Sequence, residues 1–154
     1  FNAGQMPAID SGLSVSRVGG AAQFPAMKKV SRSLKIDLAN FQEMKSFAQF
    51  GSDLDRTTLS ILKHGEVLMR VLRQNQYEPN QLDRQVYDLF AAKTKKLDDL
   101  ELKEVKPFLN NSYKHLKVTN PDIFEEILKT KDLSEENANR LTALINEEIQ
   151  IYKK

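Results

Sequence analysis

Arg17 is the one basic residue in the first 24 positions, a stretch whose single acid is Asp10 and which holds four of the six glycines. A guanidinium set among small residues can be presented cleanly to a phosphate as a planar, permanently charged fork. Contact with a phosphate is therefore the chemistry Arg17 suits. The competing reading is an exposed arginine at a sheet edge, which is where the residue type usually sits. Other chemistry is sparse. The sequence has no glycine-rich phosphate loop followed by Lys-Ser or Lys-Thr, and no Ser/His/Asp or paired-carboxylate set can be assembled from its spacing. His64 and His115 stand apart without ligand spacing and read as surface or boundary residues, and the absence of cysteine removes thiolate metal sites and disulfides, so no metal is expected.

Twenty-three Lys and Arg against 21 Asp and Glu leave a net charge of +2, which does not support a nucleic-acid footprint. The longest apolar run, Leu89 to Ala92, is far short of the roughly twenty residues that a membrane helix needs, so no direct membrane insertion is expected. The chain starts at Phe1 without a charged leader or apolar signal core, and the expectation is that sequence upstream has been cut away.

The elements that must position Arg17 follow from a change of character at about residue 24. Upstream, Ala8 to Gly20 alternates small and β-branched residues between glycines and reads as loop, short strand and loop, with Arg17 at the strand end. No partner strand is visible downstream, so this strand belongs to a sheet outside the chain. Downstream the pattern is helical. Met27, Val30, Leu34, Leu38, Phe41, Met44 and Phe47 recur at steps of three and four and make one buried stripe. Gly51 ends that helix, Ser52 or Asp53 caps the next, and Gly65 is expected to break it. Gln74 to Pro79 reads as a loop, followed by a helix burying Leu82, Val86, Leu89 and Phe90. Leu100 to Leu116 reads as less regular helix interrupted at Pro107. A short helix starts at Asn120-Pro121, and a last one is capped by Ser134 with Leu141, Leu144, Ile145, Ile149 and Tyr152 on one face. The fold class is therefore mainly α, a C-terminal helical bundle over 25–154, preceded in 1–24 by a short strand and loop remnant of another domain.

Three ordered motifs carry a resemblance. The stretch from Pro7 to Ser16 resembles the signature of the α and β subunits of rotary ATP synthases. Its continuation from Arg17 to Gln23, with Phe47 to Asp55 and Gln74 to Pro79, resembles the α subunit specifically. The likeness is strong to about Leu100 and weaker beyond. It implies the tail of a nucleotide-binding domain and the whole of a C-terminal bundle that forms part of a collar around the rotating shaft. By the resemblance Arg17 falls at the arginine finger that reaches into the catalytic site of a neighbouring β subunit, and Ser14 at a serine needed for activity. Gln74 and Gln76 match glutamines that approach the adenine of a non-catalytic site, and Pro7 a proline lining that pocket. Met6 stands where the family carries arginine and offers a thioether instead. The implied cofactors are ATP or ADP with Mg in the full-length subunit, and none for this piece, which lacks the phosphate-binding loop and is not expected to hydrolyse ATP alone. The implied partners are the β subunits and the central-shaft γ subunit, in a peripheral complex on the cytoplasmic face of a bacterial inner membrane. The alternatives are a free-standing helical interaction module and an α-like paralogue in a specialised rotary ATPase.

Overall fold

The computed structural model describes residues 6–8, 16–48, 54–75 and 77–153. Among the described residues seven α-helices follow one another: α1 Arg17–Ala22, α2 Pro25–Ala48, α3 Arg56–Leu72, α4 Leu82–Lys93, α5 Leu102–Thr119, α6 Pro121–Thr130 and α7 Glu135–Tyr152. A 3₁₀ turn, Lys96–Asp99, lies between α4 and α5. Among the described residues there is no strand, and no helix is long and apolar enough to cross a membrane. The mainly helical class is as expected. The strand itself falls in 9–15, outside the described residues, whereas Arg17 to Gly20, placed there in strand end and loop, is helical. The reason is local: the Ser16 hydroxyl accepts the Gly19 N–H at 2.9 Å and caps the turn.

Helix α2 packs on α3 and α4, α3 on α5, α6 closes over α4 and α5, and α7 lies against α5 and the 3₁₀ turn. Its stripe buries Val30, Leu34, Leu38 and Phe41 together with Ala26, as the period predicts, but the stripe ends early: Met27 and Met44 are half-buried and Phe47 is 65% exposed. At the centre lie Tyr87, Phe108 and Phe124. Their one polar tip is satisfied, since the Tyr87 hydroxyl donates to Ser112 Oγ at 2.7 Å and Ser112 donates to the Phe108 carbonyl at 2.7 Å.

Two residues differ from their expected roles. Gly65 does not break a helix; it sits inside α3 and is buried where the Phe41 ring of α2 crosses, so the missing side chain is the space the ring occupies. His64 is not a surface residue but 5% exposed, because it has two acidic neighbours: Nδ1 lies 2.9 Å from both Asp98 carboxylate oxygens and Nε2 lies 3.7 Å from Asp37. His115 is exposed as expected, 2.6 Å from Glu148. Helix α5 runs unbroken through Pro107, although a proline there deprives the Lys103 carbonyl of its donor. Burial of Val105, Phe108 and Leu109 and a capping box of Glu101 and Glu104 offset that loss. Asp55, not Ser52 or Asp53, caps α3 by accepting the Thr58 N–H at 2.8 Å; Gly51, Ser52 and Asp53 lie outside the described residues.

The turn between α6 and α7 holds the start of α2. The Ala26 N–H donates to the Lys131 carbonyl at 3.1 Å, Lys29 Nζ donates to the Leu133 carbonyl at 2.9 Å, and the same ammonium is 2.8 Å from Asp132. The hydrogen bond from Lys29 holds the Asp132 carboxyl below its usual range; burial opposes it, and the Leu133 N–H adds to it. A carboxyl depressed in the folded state contributes stability above its unfolded value of about 3.9, and that contribution is lost as pH falls through the folded value. Asp132→Asn is expected to cost on the order of a few tenths of a kcal/mol at neutral pH. The gap from the parent should close in denaturation curves taken below about pH 4. The last helix behaves as its cap predicts: Ser134 Oγ accepts the Asn137 N–H at 3.3 Å and donates to Glu126 at 3.2 Å. Ser134→Ala should cost about 1 kcal/mol, read as a lower urea midpoint with unchanged slope.

Candidate functional site

Arg17 is the first residue of α1 and is exposed. A six-residue helix has little stability alone, so its position depends on attachments. Lys28 Nζ, donating to the Ala21 carbonyl at 2.9 Å, ties it to α2, while the Ser16 cap closes its own first turn. Lys28 belongs to α2, whose first turn is in turn fastened to the α6–α7 turn. The guanidinium thus projects from a short element secured to the bundle while reaching none of the bundle's described side chains by hydrogen bond or ion pair. Ser14, its expected companion, lies outside the described residues.

Pro7 and Gln74 come together. Both line a groove of about 590 Å³, with Met6 and Ala8 on the leader side and the end of α3 on the other. Arg73 pins the two sides, its Nε donating to the Met6 carbonyl at 3.1 Å. A groove of that size lies in the range of small-ligand sites and has room for a purine base. Pro7 offers a half-buried apolar wall, and the exposed Gln74 amide offers a donor and an acceptor for a base edge. Gln76 lies outside the described residues. Arg17 is not among the groove's lining residues, so the two expected functions occupy separate places.

The groove has a polar floor that sequence reasoning missed. Arg84 from α4 donates through Nε to Asp88 at 2.9 Å and through a terminal nitrogen to Asn110 at 2.7 Å, with its plane 4.8 Å over Tyr113. Lys106 from α5 donates to the Val71 carbonyl at 2.7 Å. Burial pushes the Asp88 carboxyl up, against the pull of Arg84. Burial likewise holds the Lys106 ammonium below its ordinary range, with Arg84 and Arg70 adding to the effect and Asp88 opposing it. The spacing of Arg70 and Arg73, just ahead of Gln74 on the last turn of a helix, was the available signal. Lys106 arrives from another helix and had none.

Known proteins match this chain along nearly all of its length. ATP synthase subunit alpha of Caldanaerobacter subterraneus subsp. tengcongensis is 42% identical over 152 residues, 99% of this chain and 30% of that protein. The same subunit of Lawsonia intracellularis is 46% identical over 147 residues, covering 96% of this chain and 29% of its own length. That of Mycolicibacterium smegmatis is 44% identical over 147 residues, 96% and 27%. The chain therefore spans less than a third of the length of these relatives. Residues 23–148, α2 through most of α7, match the family model described as the ATP synthase alpha/beta chain, C terminal domain. This chain belongs to the ATP synthase alpha/beta family, of which its bundle is the C-terminal domain.

Proposed function

We propose that this chain is the C-terminal portion of an α subunit in the soluble head of a rotary ATP synthase, and that it serves there without a catalytic centre of its own. The observation that carries this reading is that identity to α subunits extends through both the glycine-rich leader and the bundle, at 96–99% of the chain. On this reading residues 1–24 end a nucleotide-binding domain and 25–154 form the collar bundle around the γ shaft, in a complex attached peripherally to the cytoplasmic face of a bacterial inner membrane. Arg17 supplies a guanidinium to the site of a neighbouring β subunit, where phosphoryl charge builds up. Its exposure and its attachment through α1 to Lys28 support that role: the charge is held in place but not consumed within the bundle. Ser14 accompanies it. Pro7, Gln74 and Gln76 contact the adenine of ATP or ADP at a non-catalytic site, and Mg accompanies the phosphates on the part of the subunit that carries the phosphate-binding loop.

The test is a chimaera in which this chain replaces the corresponding C-terminal portion of the Caldanaerobacter α subunit. Coexpressed with a β subunit, it should assemble into an α/β head with steady ATP turnover. A chimaera whose bundle is helical by circular dichroism but which fails to enter the head would refute the reading.

A further inference from the structure

Helix α1 has two glycines among its six residues, buries none of them, and is joined to α2 through Gln23 and Phe24 alone. Packing does not hold such a helix, since a short glycine-bearing helix is marginal without a buried face. The last carbonyls of a helix lack internal partners and carry the negative end of its dipole, so a cation placed there both satisfies and orients them. Lys28 supplies that cation from α2, its Nζ donating to the Ala21 carbonyl at 2.9 Å. Its neighbour Lys29 turns another way. Consecutive residues on a helix diverge by about 100°, so two adjacent ammoniums can serve two different elements. Lys29 donates to the Leu133 carbonyl at 2.9 Å and lies 2.8 Å from Asp132, which seats the first turn of α2 on the α6–α7 turn. The two linking residues are held as well. The Ser31 hydroxyl donates to Gln23 Oε1 at 3.4 Å, the Phe24 carbonyl accepts the Lys28 N–H at 3.0 Å, and the Lys131 ammonium lies 5.8 Å from the centre of the Phe24 ring.

We propose that Lys28 is a positioning residue for Arg17, holding the last turn of α1 in one orientation, with the first turn of α2, seated on the α6–α7 turn, as the footing from which it does so. The inference rests on the reading of Arg17 as a guanidinium supplied to a neighbouring β subunit, and it names what aims that group. A rise of about 6 Å separates Arg17 from Ala21, four residues along the helix. Without the grip at Ala21, α1 pivots about Gln23 and Phe24, and the guanidinium at its far end swings. A misplacement of about 1 Å is enough to cost a catalytic group much of its effect. Lys28 itself touches no reacting atom. Its loss therefore lowers turnover by the share of time α1 spends out of line, and leaves nucleotide binding at the β site and the packing of the bundle as they were. A single exposed charge-assisted bond biases such an equilibrium by about threefold to tenfold.

The test uses the assembled α/β head of the chimaera. Lys28→Met, which removes the ammonium and keeps an unbranched stem, should lower kcat by about threefold to tenfold with the nucleotide affinity of the β site unchanged. In the same head, hydrogen exchange over residues 16–24 should quicken while residues 30–41 keep their protection. Lys28→Arg retains a charged donor of similar reach and should recover most of the lost kcat. In an Arg17→Lys background Lys28→Met should bring no further loss, because no fork is left to aim. The proposal is overturned by parental turnover in Lys28→Met, by an equal fall in Lys28→Met and Lys28→Arg, by unchanged exchange over 16–24, or by a fall of the same size in both backgrounds. The Arg17→Lys head gauges the underlying reading separately. Parental turnover there removes the role of Arg17 and the proposal with it, whereas collapsed turnover there with an additive loss from Lys28→Met removes Lys28 alone.

Discussion

Arg17→Lys in an assembled α/β head is expected, on the role proposed for Arg17, to lower steady-state ATP turnover by a hundredfold or more, on the order of the effects that trans-supplied arginines have in phosphoryl transfer. Lysine keeps the charge but loses the planar fork, so the interaction lost is the directional one that forms as charge develops on the transferred group. Nucleotide binding at the β site should weaken only modestly, because a contact made chiefly in the transition state appears in kcat and kcat/KM together and little in binding. The bundle should not register the change. Arg17 is exposed, α1 buries no residue, and its tie to the bundle runs through Lys28 rather than through the guanidinium. Equal thermal midpoints with collapsed turnover is therefore the expected pair of results, and equal turnover would return Arg17 to the role of an exposed surface arginine.

A large stability effect is expected where Gly65 meets Phe41. A methyl group there would overlap the Phe41 ring at the crossing of α2 and α3. Alanine is a better helix former than glycine by about 1 kcal/mol, so an uncrowded Gly→Ala in mid-helix would stabilise. At this crossing the overlap wins, since forcing extra volume into a packed core costs about 1–3 kcal/mol or more and the obstruction includes the stem of the ring rather than a flexible tip. Gly65→Ala should accordingly lower the denaturation midpoint despite its better propensity, and Gly65→Leu should unfold the crossing. The diagnosis has its own check. Phe41 is 5% exposed, so Phe41→Ala alone costs about 3–5 kcal/mol. Combined with Gly65→Ala it should cost clearly less than the two separate losses, because the new methyl then occupies space the ring has vacated. Strict additivity would show that the two residues do not share that space.

What the sequence allowed to be read, and what it did not, divides along the distance over which each residue's role is decided. The α2 stripe, the loop after Leu72, the Pro121 start of α6 and the Ser134 cap are set by neighbours within a turn or two, and all were legible. Gly65 was read as a breaker because glycine lowers helix propensity; its actual role needs Phe41, which only the tertiary fold brings to it. His64 was read as a surface or boundary residue because its acceptor Asp98 lies 34 residues away. Phe47 continues the period of α2 but none of the described elements covers it. Within the candidate site, Pro7 and Gln74 were legible only through family resemblance, and the fold brings them into one groove. Arg17 was placed at a strand end on glycine content, whereas the Ser16 cap, a purely local signal, makes it the start of a helix. Arg70 and Lys106 converge from separate helices, and no spacing along the chain encodes such a meeting.

Surface turns are ordinarily where a protein engineer inserts a peptide tag or a fluorescent label, since loop tips tolerate added length. The turn from Lys131 to Leu133 is an exception. Two of its carbonyls and one carboxylate are already engaged by Ala26 and Lys29, and its backbone turns through a left-handed residue, Lys131, at φ 59°. A label spliced there would loosen the first turn of α2, and with it Lys28, α1 and the aim of Arg17. A label placed for convenience on the bundle would instead disturb a short N-terminal helix that it nowhere touches.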